Sequence, residues 1–157
     1  MPSTSPIAAS LPVEGLLLSI GTSGSPDSLS VVANVTDYSQ AMKATIVMVE
    51  NVGDNFVRRQ PTIIDPGAPT YKIFWIPDEV SHRNSPDNGN VTAGLRYLMI
   101  KKLLRQTTLN YPADPNGNAP ADSFLAFVTD FGISGKTAGV FEANITMGIN
   151  DQNPSFC

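Results

Sequence analysis

The sequence predicts a mainly β protein: two packed antiparallel sheets, sandwich- or barrel-like, with one flanking α-helix. Three observations lead there. Residues 70–76 alternate Tyr71, Ile73 and Trp75 with Lys72, Phe74 and Ile76, as an extended strand does. Residues 92–105 place Leu95, Leu98, Met99 and Leu103 at three- and four-residue steps, as a helix does. The segments on either side are strand-like runs punctuated by the 12 glycines and 13 prolines of the 157-residue chain.

In chain order, residues 1–12 hold Pro2, Pro6 and Pro12 and read as an extended N-terminal arm, either free or ordering on a neighbouring subunit. Residues 13–20 and 29–38 read as the first two strands. Residues 41–52 alternate most clearly. Met42, Ala44, Ile46, Met48 and Glu50 share one face, and Lys43, Thr45, Val47, Val49 and Asn51 the other. Neither face is strongly polar, so both are expected to be covered.

Residues 53–69 carry Pro61, Pro66 and Pro69, which bar a central strand. The stretch reads as a long hairpin reaching a partner, or as a surface loop whose Phe56 tucks back onto its own domain. Asp54, Asn55, Phe56, Val57, Arg58, Arg59 and Gln60 are contact candidates, because aromatic and Arg side chains are enriched at interfaces. Residues 70–76 are apolar in both alternating sets and are expected to be buried on both sides. Trp75 is expected in the core rather than on a ligand platform.

Residues 80–90 read as a polar loop with His82 exposed. Asn90 or Thr92 is expected to cap the helix at 92–105. Tyr97, Ile100 and Leu104 widen its apolar arc enough to face a neighbour as well as its own sheet, with Lys101 and Arg105 as the wet stripe. Tyr97 and Lys101 join the contact candidates. A short strand at 108–111 and a loop at 112–120 follow. Residues 122–133 and 137–149 read as a hairpin turning at Gly135. Residues 150–157 read as a C-terminal arm, with Phe156 as a further contact candidate. The whole is one domain, 1–157.

Charged residues make up 15% of the chain, against a usual ~25%. That suits a subunit covered by partners, and equally a β protein rich in Ser, Thr and Asn. The net charge of −4 argues against a basic grip on nucleic acid, though not against a surface that DNA slides past. A single Cys, Cys157, excludes an internal disulfide and multi-Cys metal sites, and a single His, His82, excludes zinc sites built on several His. Nucleotide-binding glycine loops and a nucleophile elbow are absent. The start lacks the basic region of a signal peptide, and Leu16, Leu17 and Leu18 form too short a run to enter a membrane. The expectation is a protein that is no enzyme and carries no cofactor or metal.

Several stretches carry a family resemblance. They are the strand at 13–20, the Pro/Gly-rich hairpin over 45–69, and the run Phe74, Trp75, Ile76, Pro77, Asp78, Glu79. After them come the helix with Gly94, Leu95 and Leu98, then Asn110, Tyr111 and Pro112, the strands at 123–129 and 141–147, and the finish Asn153, Pro154, Ser155, Phe156. In this order and spacing the chain resembles the major tail tube proteins of long non-contractile-tailed, lambda-like bacteriophages.

The resemblance implies the phage tail tube fold and a structural virion protein. Six copies would form a ring whose inner sheets join across subunits, and stacked rings would make the conduit for genome ejection. The hairpin at 53–69 would bridge subunits. Implied partners are further copies of the chain and the tape measure, tail terminator and distal tail proteins. Double-stranded DNA would pass through the lumen without specific binding, and no membrane insertion is implied. The implied location is the virion tail, assembled in the host bacterial cytoplasm. The alternatives are a non-catalytic β-sandwich module binding carbohydrate or a receptor, or another virion component of tail or head.

Overall fold

In the computed structural model the described residues are 15–22, 25–50, 53, 55–87 and 92–157, with 25–30 described in backbone only. The arm expected at 1–12, together with Asp54 and Asn90, lies outside them. The strands are β1 (Leu17–Thr22), β2 (Ser25–Ser39), β3 (Lys43–Val49), β4 (Arg58–Asp65) and β5 (Thr70–Phe74), with apolar alternation clearest in β3 and β5. The helix α1 (Leu95–Lys101) follows, then β6 (Arg105–Asn110), β7 (Ala121–Ser134) and β8 (Glu142–Ile149).

The two sheets expected from the sequence are joined at both edges. β6 pairs back onto β1 and closes an antiparallel barrel in the order β1-β2-β5-β8-β7-β6. Length and bulges make closure possible. β2 and β7 run for 15 and 14 residues, and register shifts at Leu18/Ser19, Val35/Asp37 and Val128/Asp130 bend the strands round. β3 and β4 pair only with each other.

A closed barrel has one interior, and the period-two pattern fills it. Leu18 and Ile20, Tyr71 and Ile73, Phe124 and Ala126, and Ala143, Ile145 and Met147 are buried there. Trp75 joins them, packed edge-on against Phe131 at 5.4 Å, so it is core as expected. The outer set of β5 and the residues after it is different. Phe74 and Ile76 are exposed and Lys72 is half-buried, so this stretch is not buried on both sides within the chain. Lys72 pairs with Glu142 on the neighbouring strand at 3.0 Å.

α1 is half the length expected and lies against β7. It stops because Lys102 adopts the left-handed conformation at φ 56°. Its N–H bonds back to Met99, and that of Leu103 to Leu98, a Schellman closure made without glycine. Leu103 and Leu104 lie past this stop, and Arg105 begins β6. The start departs from expectation too. Gly94 is the N-cap and no side chain caps it; Thr92 instead donates its hydroxyl to Gly21 O at 3.0 Å.

The loop before the helix supplies the missing acceptors. Gly94 N, Leu95 N and Arg96 N donate to the carbonyls of Ser85, Ser81 and His82 at 2.9, 2.9 and 3.2 Å. Asp87 accepts from Ala93 N at 2.6 Å and from Arg105 Nη2 at 2.9 Å, tying the two flanks of the helix together. Leu95 and Leu98 fill the core, whereas Ile100 and Leu104 stay exposed. Leu98→Ala is expected to cost about 2–5 kcal/mol in chemical denaturation, and a loss of a few tenths would show that the helix does not seal the core.

Residues 150–157 run along the chain's own β7. Ser155 exchanges backbone hydrogen bonds with Ser123, Phe156 lies 6.2 Å from Phe124, and Cys157 N donates to Asp122 Oδ1 at 2.9 Å.

Candidate assembly surface

β3 and β4 form a hairpin that stands clear of the barrel. In register, Ala44 faces Ile64, Ile46 faces Pro61, Met48 faces Arg59 and Val49 faces Arg58. One face carries Ala44, Ile46, Met48, Pro61 and Ile64 with Arg59; the other carries Lys43, Thr45, Val47, Val49, Arg58 and Gln60. Pro61 sits in this two-stranded ribbon, where a missing N–H is tolerated. Both faces were expected to be covered, and within the chain neither is. Ile46, Val47, Met48, Ile63 and Ile64 are exposed, Ile63 at 73%. A two-stranded ribbon is marginal in water, and contiguous exposed apolar side chains mark an interaction surface.

The base of the hairpin is anchored. Tyr38 OH donates to Gln40 Oε1 at 2.7 Å, and Gln40 Nε2 donates to Pro66 O at 3.0 Å. Gly67 allows the return. Its φ is +82°, and a Cβ there would stand 2.1 Å from Ala41 O.

The contact candidates among the described residues fall in four places. Asn55, Phe56 and Val57 lie at the exposed tip, Phe56 at 84% exposure and so not folded back on the domain. Arg58, Arg59 and Gln60 open β4. Tyr97 and Lys101 are on α1, with Lys101 Nζ 6.0 Å above the Tyr97 ring. Phe156 is half-buried on Phe124. The structure adds exposed apolar residues outside the contact candidates: Val31, Phe74 and Ile76 on the outer barrel wall, and Ile100 on the helix with Ile133 near it.

The outer wall is split where the β2–β5 ladder ends at Val35 opposite Ile73. Beyond it, Trp75 N donates to Phe141 O at 2.9 Å rather than towards β2. His82 fills the seam. Ile76 N donates to its Nδ1 at 3.3 Å, and its Nε2–H donates to Val32 O at 2.8 Å. The ring also stacks on Trp75 at 5.9 Å. His82 was expected to be exposed and is instead 3% exposed, because its ring stands in for a backbone rung. Its polar neighbours in sequence gave no sign of this. His82→Ala is expected to cost about 1–3 kcal/mol, since Val32 O is left buried without a donor; an unchanged urea midpoint would dismiss the rung. In front of His82 lies an open groove of about 280 Å³ lined by Val31, Phe74, Ile76 and Glu79.

A second polar cluster lies beneath the C-terminal residues. The buried Asp122 accepts from Tyr111 OH at 2.7 Å and from Cys157 N. Burial, with that hydrogen bond to Asp122 behind it, holds the Tyr111 phenol far above its usual range. Burial raises Tyr71 and Tyr38 as well, and the two rings stack at 5.4 Å. Burial and Asp122 also push the Cys157 thiol up. With folded values raised, the stabilising effect is complete below the unfolded tyrosine value of about 10 and is lost as pH rises past it. Titration followed at 295 nm should therefore show three tyrosines ionising late, with the melting temperature falling above about pH 10; an unchanged melting temperature there would contradict the linkage.

Among the described residues, no three His, Cys, Asp or Glu side chains are grouped to hold a metal ion, and no helix is long and apolar enough to cross a membrane.

No protein-family model matches the chain, and no curated protein matches it by sequence. Solved structures do match by shape. A chain in the tail of an empty gene transfer agent particle, refined with C6 symmetry, superposes with a TM-score of 0.61 at 12% identity, over 90% of this chain and 95% of its own. The SPP1 tail tube gives 0.63 at 8% identity over 92% and 78%. A sheath–tube complex of the PVC extracellular contractile injection system gives 0.60 at 15% over 99% and 100%. At such identities the likeness is one of fold: the chain has the fold found in tubes of phage-like tails. Because that likeness extends to a contractile injection system, it does not single out the non-contractile, lambda-like group.

Proposed function

We propose that this chain is a structural tail tube subunit. Copies assemble into rings of six, rings stack into a hollow tube, and the genome passes through the tube into the host. The chain does no chemistry, and its further partners are the tape measure, tail terminator and distal tail proteins. It resides in the tail of the virion after assembly in the host cytoplasm.

The β3–β4 hairpin carries this reading. It presents one mainly apolar face and one mixed face with nothing of its own chain upon either, and it projects from a barrel of the tube fold. Barrel closure sharpens the picture. Closure pairs the strand edges of the barrel except along the split beyond Val35 and Ile73, so β3 and β4 hold most of the free edges among the described strands. Contact between copies passes through this hairpin rather than through long open sheet edges. The C6 symmetry of the gene transfer agent tail supports six copies per ring. A net charge of −4 keeps DNA from adhering to the wall.

Negative-stain electron microscopy of the concentrated protein tests this. Hollow rings and stacked tubes are expected. A protein that stays monomeric at millimolar concentration overturns the reading.

A further inference from the structure

We infer that the groove in the split outer wall, between β2 and residues 74–79, is the receptor for the β3–β4 hairpin of a second copy. This rests on the tube reading above and specifies the contact within it.

Two observations match the surfaces. The first is spacing. Phe74 and Ile76 lie two residues apart on the outer face, and Ile46 and Met48 lie two residues apart on one hairpin face. Side chains so placed repeat at about 7 Å along an extended chain, so two apolar knobs meet two apolar knobs in one register. The groove of about 280 Å³, walled on its far side by Val31, gives them room. The second is charge. Glu79 is the one acidic side chain among the described residues lining the groove, just past Ile76. Arg59 sits directly across the ribbon from Met48. With Met48 over Ile76 and Ile46 over Phe74, Arg59 reaches Glu79. Glu79 has a weak contact with Ser81 Oγ at 3.4 Å and no basic partner among the described residues. Glu50, the nearest hairpin carboxylate, follows Met48 by two residues, just past the last cross-strand pair at Val49 and Arg58.

The wall is built to stay open for this. In a continuous ladder Val32 and Ile76 would be opposite each other and the sheet would be seamless. His82 holds them a ring's width apart. The groove is thus a fixed feature of the subunit, available before a partner arrives.

The test uses full-length protein. Arg59→Glu and Glu79→Arg are expected each to raise the concentration needed for assembly about tenfold or more, and the double variant to recover most of the loss. In a Cys157→Ser background, Met48→Cys protein mixed with Ile76→Cys protein should form a mixed disulfide on oxidation, seen as a dimer on a non-reducing gel. Wild-type tubes with neither an effect of the single reversals nor a mixed disulfide would overturn the docking and leave the tube reading standing. Wild-type protein that never assembles overturns both.

Discussion

Deleting residues 54–60 is expected to abolish tube growth and to leave the barrel folded. The buried core draws on β1, β2, β5, α1, β6, β7 and β8, and no residue of β3 or β4 belongs to it. The hairpin meets the barrel at its base, through Gln40 and Pro66. Losing the tip therefore removes exposed Phe56 and the start of β4 while the interior keeps every contact. The expected readout is far-UV circular dichroism and a melting temperature close to wild type, beside electron micrographs without tubes. Wild-type tubes from the deletion would remove the hairpin from assembly. A deletion that unfolds the chain would mean that the hairpin stabilises the barrel, contrary to its exposure.

The largest single-residue effect on stability is expected at Gly94. Its φ of −62° is ordinary, so backbone freedom is not the reason for glycine. Space is. A Cβ at this position would stand 1.7 Å from Arg83 O and 2.8 Å from Val80 O, both backbone atoms that no side-chain rotation can move. The close approach has a cause. The first N–H groups of α1 find acceptors on the loop at 81–85, which requires loop and helix start to lie in contact. Gly94→Ala forces them apart, loosens those three hydrogen bonds and disturbs His82, which sits in the same loop. A cost of about 3 kcal/mol or more is expected, read as a large drop in the urea midpoint. A change below about 1 kcal/mol would show that the loop yields freely.

Much of the barrel was legible in the sequence because a barrel interior imposes period two. Tyr71, Ile73 and Trp75, or Ala143, Ile145 and Met147, announce an inward face with no knowledge of their neighbours. The helix was legible in kind but not in extent. Leu103 and Leu104 continue its apolar spacing, and the stop is a left-handed Lys102, a conformation for which the sequence usually advertises glycine. His82 was misread because burial here follows from a gap between two strands 44 residues apart in sequence, Val32 and Ile76.

The candidate surface divides in the same way. The sequence pointed to residues 41–52 as an alternating strand with neither face strongly polar, and to the proline-rich residues 53–69 as unsuited to a central strand. It could not say whether Ile46 and Met48 were buried by their own chain. Only the closed barrel decides that. Six strands close on one another, apart from the seam that His82 fills, leaving β3 and β4 outside with their side chains uncovered. Local side-chain alternation determined which segments are strands and which of their residues match in pairs. Long-range closure determined which of those faces meet the interior and which are left uncovered, because burial is a property of the assembled surface and not of any one segment.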